Sequence, residues 1–314
     1  MSAVKAIGRS RFVRNALILT ITSLLLRTIG IFFRIYLSNQ IGPEGMGLYQ
    51  LVISIYVLGS TFATAGICTA VTRMITDELV CGTKRSALHI LRRAVLLSVL
   101  LGLLSAAIIF LASDFLSARV LGDVRAAPAL KVLTLGLPFM GVSSCLRGYF
   151  MARRQVAGSS RAQILEQFVR IGVIYFLIGK FAALGLAAAC AVVMAGDTLA
   201  EIASCGYLAI GYFRDRRRLP DKTGQKKTTG RVLHRLLAIA APITAGRYLN
   251  TALRTVENIL VPNCLTRYSH SRETSLSQFG MLKGMAMPLL FFPSSFLNAL
   301  STLLIPEISE AAAL

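Results

Sequence analysis

Four arginines stand in two pairs whose spacing gives them a common chemistry. Arg27 and Arg34 are seven residues apart in the apolar run NALILTITSLLLRTIGIFFRIYL, residues 15–37, and Arg247 and Arg254 repeat that separation within 236–261. Seven residues are close to two helical turns, so each pair projects from one helix face. A guanidinium is permanently charged, and its planar fork of donors fits two oxygens of a phosphate at once. Near the centre of a bilayer such a charge costs on the order of 2.5–3.5 kcal/mol, which points to a wet or protein-lined cavity with an anionic guest. The plainer alternative is snorkelling of the side chain to the interface. Carboxylates accompany the arginines. Asp197 and Glu201, four apart, share a helix face near mid-run; they either carry a coupling proton or sodium ion or neutralise the arginines of the first run. Glu257 is spaced to pair with Arg254, and Glu166 with Arg170 near the cytoplasmic end of its run.

Eight apolar runs must position these groups: 15–37, 48–72, 94–113, 128–150, 162–179, 182–212, 236–261 and 276–303. With 55% hydrophobic and 15% charged residues, the chain reads as an all-α, polytopic membrane helix bundle of about eight transmembrane helices. Lys and Arg number 22 in the N-terminus and the gaps 73–93, 147–161 and 210–235, against 5 in the other gaps. That alternation places the N-terminus and every even gap on the cytoplasmic side of the cell membrane. The expected division is an N-terminal six-helix lobe (1–212), a basic cytoplasmic linker (213–235) attracted to anionic lipid, and the first two helices of an incomplete C-terminal lobe (236–314). Both arginine-bearing helices enter from the cytoplasm, so distance along the chain matches Arg27 in height with Arg247 and Arg34 with Arg254; a short sequence match instead aligns Arg27 with Arg254. Lys283 falls near the height of Arg34 and Arg254. Gly42, Pro43, Gly45 and Gly47 favour a tight reversal, Pro138 a kink, and Gly59 and Gly66 close helix packing. Pro288 and Pro293 bend the eighth run.

Several functions are disfavoured. The basic residues, +20 net, sit in short gaps between apolar runs rather than on one solvated face, so no nucleic-acid partner is expected. Six dispersed cysteines form no CxxC pair, and His89, His234 and His270 lie at run edges, so neither a metal nor another cofactor is expected. No phosphate loop and no paired external carboxylates suggest an enzyme. A drug or cation antiporter would favour carboxylates over arginines in its cavity. A non-transporting membrane scaffold, or a truncated remnant, is the alternative from a different class.

The segments RTIGIFFRIYLSNQIGPEGMGLYQL, TFATAGICTAVTRMI and FGMLKGMAMPLLFFPSSFLNALSTLLIPEISEA resemble the stage V sporulation protein B group of the multidrug/oligosaccharidyl-lipid/polysaccharide exporter superfamily, which includes lipid II flippases. The resemblance covers nearly the whole chain. It implies two six-helix lobes around a V-shaped cavity that moves polyprenyl-diphosphate-linked sugars outward by alternating access, for peptidoglycan or polysaccharide and for the spore wall, beside cell-wall synthesis proteins. Arg27 and Arg34 match the family's first-helix pattern; the match of Arg247 and Arg254 is looser. Relatives have twelve or more spans, which this chain does not reach.

Overall fold

The computed structural model describes residues 2–64, 66–81, 84–181, 184–217 and 232–294, and no strand occurs among them. Helix α1 (Ser2–Thr64) is broken at Gly42, whose φ of 69° and ψ of 178° no helix holds; Pro43 follows and restarts the helix. The two arms fold back on each other. Fifteen residues of straight helix would separate Arg34 from Tyr49 by roughly 22 Å, yet Tyr49 feels the charge of Arg34. The reversal expected from the glycines is therefore present. The second run is interrupted as well: Gly66, at φ +75°, ends the second arm and α2 (Ile67–Cys81) continues it.

Helix α3 (Lys84–Phe115) carries no charge between Arg93 and Asp114 and exposes Leu96, Leu100, Leu103, Leu104, Ile108 and Leu111, a face suited to lipid. A π-turn (Leu116–Val120) and a 3₁₀ turn (Val124–Ala126) lead to α4 (Ala127–Thr134). The fourth run is bent by 45° between α4 and α5 (Leu137–Ala152), where Pro138 occupies the first turn of α5. Helices α6 (Val156–Phe181) and α7 (Leu186–Arg217) turn at Gly185, and α8 (Val232–Ser269) follows. The eighth run starts as α9 (Arg272–Phe279), passes through a seven-residue π-helix (Gly280–Ala286) and continues as α10 (Met287–Leu290). Most of the expected linker, 218–231, and the end of the eighth run, 295–303, lie outside the described residues.

By length and composition alone, three helical stretches among the described residues could cross a membrane, and the bent α4–α5 pair would make a fourth. Leu17–Leu79, counted there as one, contains the first two runs with the bend at Gly42 between them. Helices α6 and α8, at 26 and 38 residues, are also long enough. They hold Glu166, Arg170, Arg247, Arg254 and Glu257, charged residues that an apolar helix in lipid would exclude.

Two apolar cores lie along the bundle. One joins Leu37 and Leu51 of α1 to Leu133 of α4, Ile174 of α6 and Met194 of α7. The other joins Val71 and Ile75 of α2 to Leu91, Leu146, Tyr149 and Leu208. Between them α6 and α7 carry a polar layer. Helix α8 runs antiparallel to the second arm of α1: Thr255 Oγ1 donates to Ser54 O at 3.2 Å, and the hydroxyls of Thr61 and Thr251 meet at 3.4 Å.

Candidate functional site

A cavity of about 770 Å³ opens between the first arm of α1, α8 and the π-helix region. Arg27 and Arg34, with Gly30 between them, form one wall; Arg254, Glu257 and Asn258 form a second, and Lys283 with Pro288 a third. The seven-residue spacing does its expected work here, since both α1 arginines face the same hollow while Phe33 and Leu37 enter the core. A Cβ on Gly30 would meet nothing within 4 Å, so this glycine simply widens the space.

Asn258 Nδ2 donates to Ser54 Oγ at 2.8 Å, which fixes α8 against α1 beside the cavity. Lys283 Nζ contacts Glu257 Oε1 at 2.7 Å. The sequence spacing predicts Arg254 as the partner of Glu257; the observed ion-pair contact is Lys283, because the π-helix brings Lys283 across while the i,i+3 spacing holds Arg254 only near enough for its charge to be felt. Four cations and one carboxylate line the cavity among the described residues. That excess positive charge suits an anion.

Arg247 does not line this cavity. Counted from Gly42 at about 1.5 Å per residue, Arg34 lies roughly 12 Å, Ser54 roughly 18 Å and Arg27 roughly 22 Å from the bend. Thr255 touches Ser54, so Arg254 sits at a height between the two α1 arginines. Arg247 lies two turns further along α8, where its charge reaches Cys68 of α2. By this count Arg254 lies within roughly 3 Å of the height of Arg27, close to the short sequence match, whereas the equal-depth pairing of Arg254 with Arg34 is off by roughly 8 Å.

Asp197 and Glu201 belong to a separate interior layer. They are 8% and 5% exposed, buried on one face of α7 as their spacing predicts. Arg170 Nε approaches Asp197 Oδ1 to 2.5 Å as an ion pair, with the N–H not aimed at the oxygen. Glu166 accepts from Arg170 Nη2 at 3.3 Å and from Arg147 Nη2 at 2.9 Å. The Glu166–Arg170 pair is thus present, and it lies between the two cores. Asp197 pairs with Arg170, and Glu201 lies within reach of the charges of Arg147 and Arg170 rather than those of the cavity arginines. Glu201 Oε1 and Ser143 Oγ make no hydrogen bond among the described residues. Tyr49 spans the two regions, feeling Arg34 on one side and Asp197 with Arg170 on the other.

Sequence reasoning missed Arg147, which it counts as part of a basic gap although the residue falls within the fourth run. It also leaves Lys283 and Asn258 out of the site. The height of Lys283 is the available signal. Nothing marks Asn258.

At the end of the bundle holding the Gly42 bend, Arg272 donates through Nη2 to the backbone oxygen of Leu121 and through Nη1 to Asn263 Oδ1 at 2.8 Å. Burial, with Asp123 pulling the other way, holds its guanidinium below the ordinary arginine value. Arg125 is clasped nearby by Asp123 and by Glu44 at 2.6 Å. Among the described residues these contacts close this end of the bundle.

Residues 12–312 match the family model described as polysaccharide biosynthesis protein. Among curated proteins, the stage V sporulation protein B of Bacillus subtilis (strain 168) is 27% identical over 305 residues, covering 96% of this chain and 59% of that protein. The lipid II flippase MurJ of the same organism is 21% identical over 320 residues, covering 96% of this chain and 58% of its own length. The chain therefore spans about three fifths of these two relatives. Among solved structures, the MATE multidrug transporter DinF-BH superposes with a TM-score of 0.62 at 13% identity, covering 92% of this chain and 63% of that one. At that identity the likeness establishes the fold alone.

Proposed function

The chain belongs to the polysaccharide biosynthesis protein family, and from that premise we propose that it serves as a flippase for a lipid-linked sugar diphosphate in the cytoplasmic membrane. The observation that carries this reading is the sign of the cavity: Arg27, Arg34, Arg254 and Lys283 against Glu257. Each phosphate of a diphosphate diester holds one negative charge, and arginine donors can grip both. A drug cation would be repelled by the same walls. The basic gaps lie in the cytoplasm in this reading, so the closed Gly42 end faces outward and the cavity loads from inside. The first six runs and the helices after residue 232 act as the two moving bodies.

Asp197 and Glu201 balance charge in the interior layer. Asp197 is engaged by Arg170, whereas two arginines face three carboxylates there, so one acid holds a proton or a cation. Glu201, buried with an unsatisfied oxygen, is the group for that role. Glu201→Gln, which mimics the protonated acid, is expected to leave binding intact and to remove the dependence of vesicle transport on a pH gradient. Retained dependence would move the coupling group elsewhere.

The direct test of the whole reading is equilibrium binding to the purified chain in detergent. Polyprenyl diphosphate should compete at least about tenfold better than the matching polyprenol, and a cationic dye should not compete. Equal competition by diphosphate and alcohol, or preferential binding of the dye, refutes the proposal. A non-transporting scaffold predicts no saturable binding of any of the three.

A further inference from the structure

A second hollow, about 670 Å³, lies away from the arginine cavity between α3, α5 and α7. His89 and Arg92 stand on its α3 wall and Arg216 on its α7 wall, near the start of α3 and the end of α7. No carboxylate lines it among the described residues. The nearby Asp215 is occupied by Tyr149, Arg153 and Gln155 at 2.8–3.2 Å and faces the core.

Both walls are graded in the same sense. On α3 His89 and Arg92 give way one turn inward to Val95, and on α7 Arg216 gives way to Phe213 and Tyr212 and then Ala209, with Val142 of α5 forming the floor. Helical spacing of three and four residues puts each series on a single face. The hollow is therefore cationic at the rim and apolar toward mid-bundle, which is the polarity of a phospholipid lying along the bundle axis. A soluble anion would leave the apolar floor unused, and a zwitterionic lipid would leave the rim charge unmatched.

We propose that this groove is a resident site for one anionic phospholipid of the leaflet at the basic end, with its phosphate between Arg92 and Arg216 and an acyl chain against Val95 and Phe213. It does not depend on the transport reading above. Basic pockets between transmembrane helices at this interface take anionic headgroups, and each basic residue contributes enough that losing two is read as a fall of roughly tenfold or more.

The test is native mass spectrometry of the full chain titrated with phosphatidylglycerol and with phosphatidylcholine of identical acyl chains. The parent should retain a single phosphatidylglycerol adduct in at least about tenfold preference. Arg92→Glu with Arg216→Glu should abolish the preference. The comparison variant, Arg93→Glu with Arg217→Glu, makes the same charge change at exposed neighbours that do not line the hollow, and should keep it. Val95→Phe, which fills the apolar inner part of the hollow without touching charge, should also lose the adduct. Thermal melting without added lipid checks that each variant is folded. Equal loss in the comparison variant would reduce the effect to general surface charge, and equal binding of glycerol phosphate would make this a free-anion site; either outcome, or no preference in the parent, overturns the proposal.

Discussion

Changing Arg34 and Arg254 together to glutamine is expected to weaken polyprenyl diphosphate binding roughly a hundredfold, measured by the competition assay on purified protein. The two side chains come from different helices and line one hollow, with Arg254 held in register by the Thr255–Ser54 hydrogen bond. A hydrogen bond to a charged group contributes about 1.5–3 kcal/mol, so two together span roughly 10²–10⁴ in affinity. The cavity admits solvent, which screens the charges and favours the lower bound. Glutamine keeps donors and most of the length, so the loss reports charge rather than shape. Single changes should cost about tenfold each. Lys283→Gln should cost less, because Lys283 is held by Glu257, and Glu257→Gln should tighten binding by releasing it. Arg247→Gln should change little, since that residue is outside the cavity lining. If Arg247→Gln weakened binding as much as Arg34→Gln, the cavity would have been assigned to the wrong arginines.

Much of this arrangement is written in the periodicity of single helices. The seven-residue interval of Arg27 and Arg34 puts both on one face, and the four-residue interval of Asp197 and Glu201 does the same, because helical geometry is local. The bend at Gly42 and the break beside Pro138 follow equally from residue type, since φ of +69° favours glycine and proline restarts a helix. What the sequence could not convey is which faces of different helices meet. Asp197 is engaged by Arg170 of the neighbouring helix, and Glu257 by Lys283 delivered through a π-helix that no hydrophobic pattern announces. Equal distance from the last basic residue is a poor measure of height for the same reason. Helix α8 slides along α1 until Thr255 meets Ser54, and that register is set by side chains on two elements at once. Arg147 is hidden by its position at the edge of a run, where an interior arginine and an interfacial one have the same neighbours in sequence.

Gly280→Ala is expected to force open the end of the bundle that is shut in this structure. A Cβ on Gly280 would lie inside contact distance of Pro43 O and 2.6 Å from the Gly47 nitrogen; one on Gly47 would run into Leu276 O and lie 2.9 Å from Leu276 C. These obstacles are backbone, so no side chain can rotate out of the way. Neither glycine has positive φ, and alanine is therefore an allowed conformation at both. The effect comes from closeness alone. Inserting such a group costs about 1–3 kcal/mol, enough to move a two-state balance by roughly 5- to 150-fold. Arg272, bonded to Leu121 across the same seam, resists that separation. Spin labels at Val124→Cys and Tyr268→Cys, both exposed positions on opposite sides of the seam, report it once the six native cysteines are replaced. The parent should give a short distance, and Gly280→Ala a population shifted to longer ones, with Gly47→Ala acting in the same direction. Gly30→Ala has free space and should leave the distances unchanged. A folded Gly280→Ala protein with the parent's distances would mean that the helices separate elsewhere, and that the close approach of Pro43 and Gly280 serves packing rather than a movable closure.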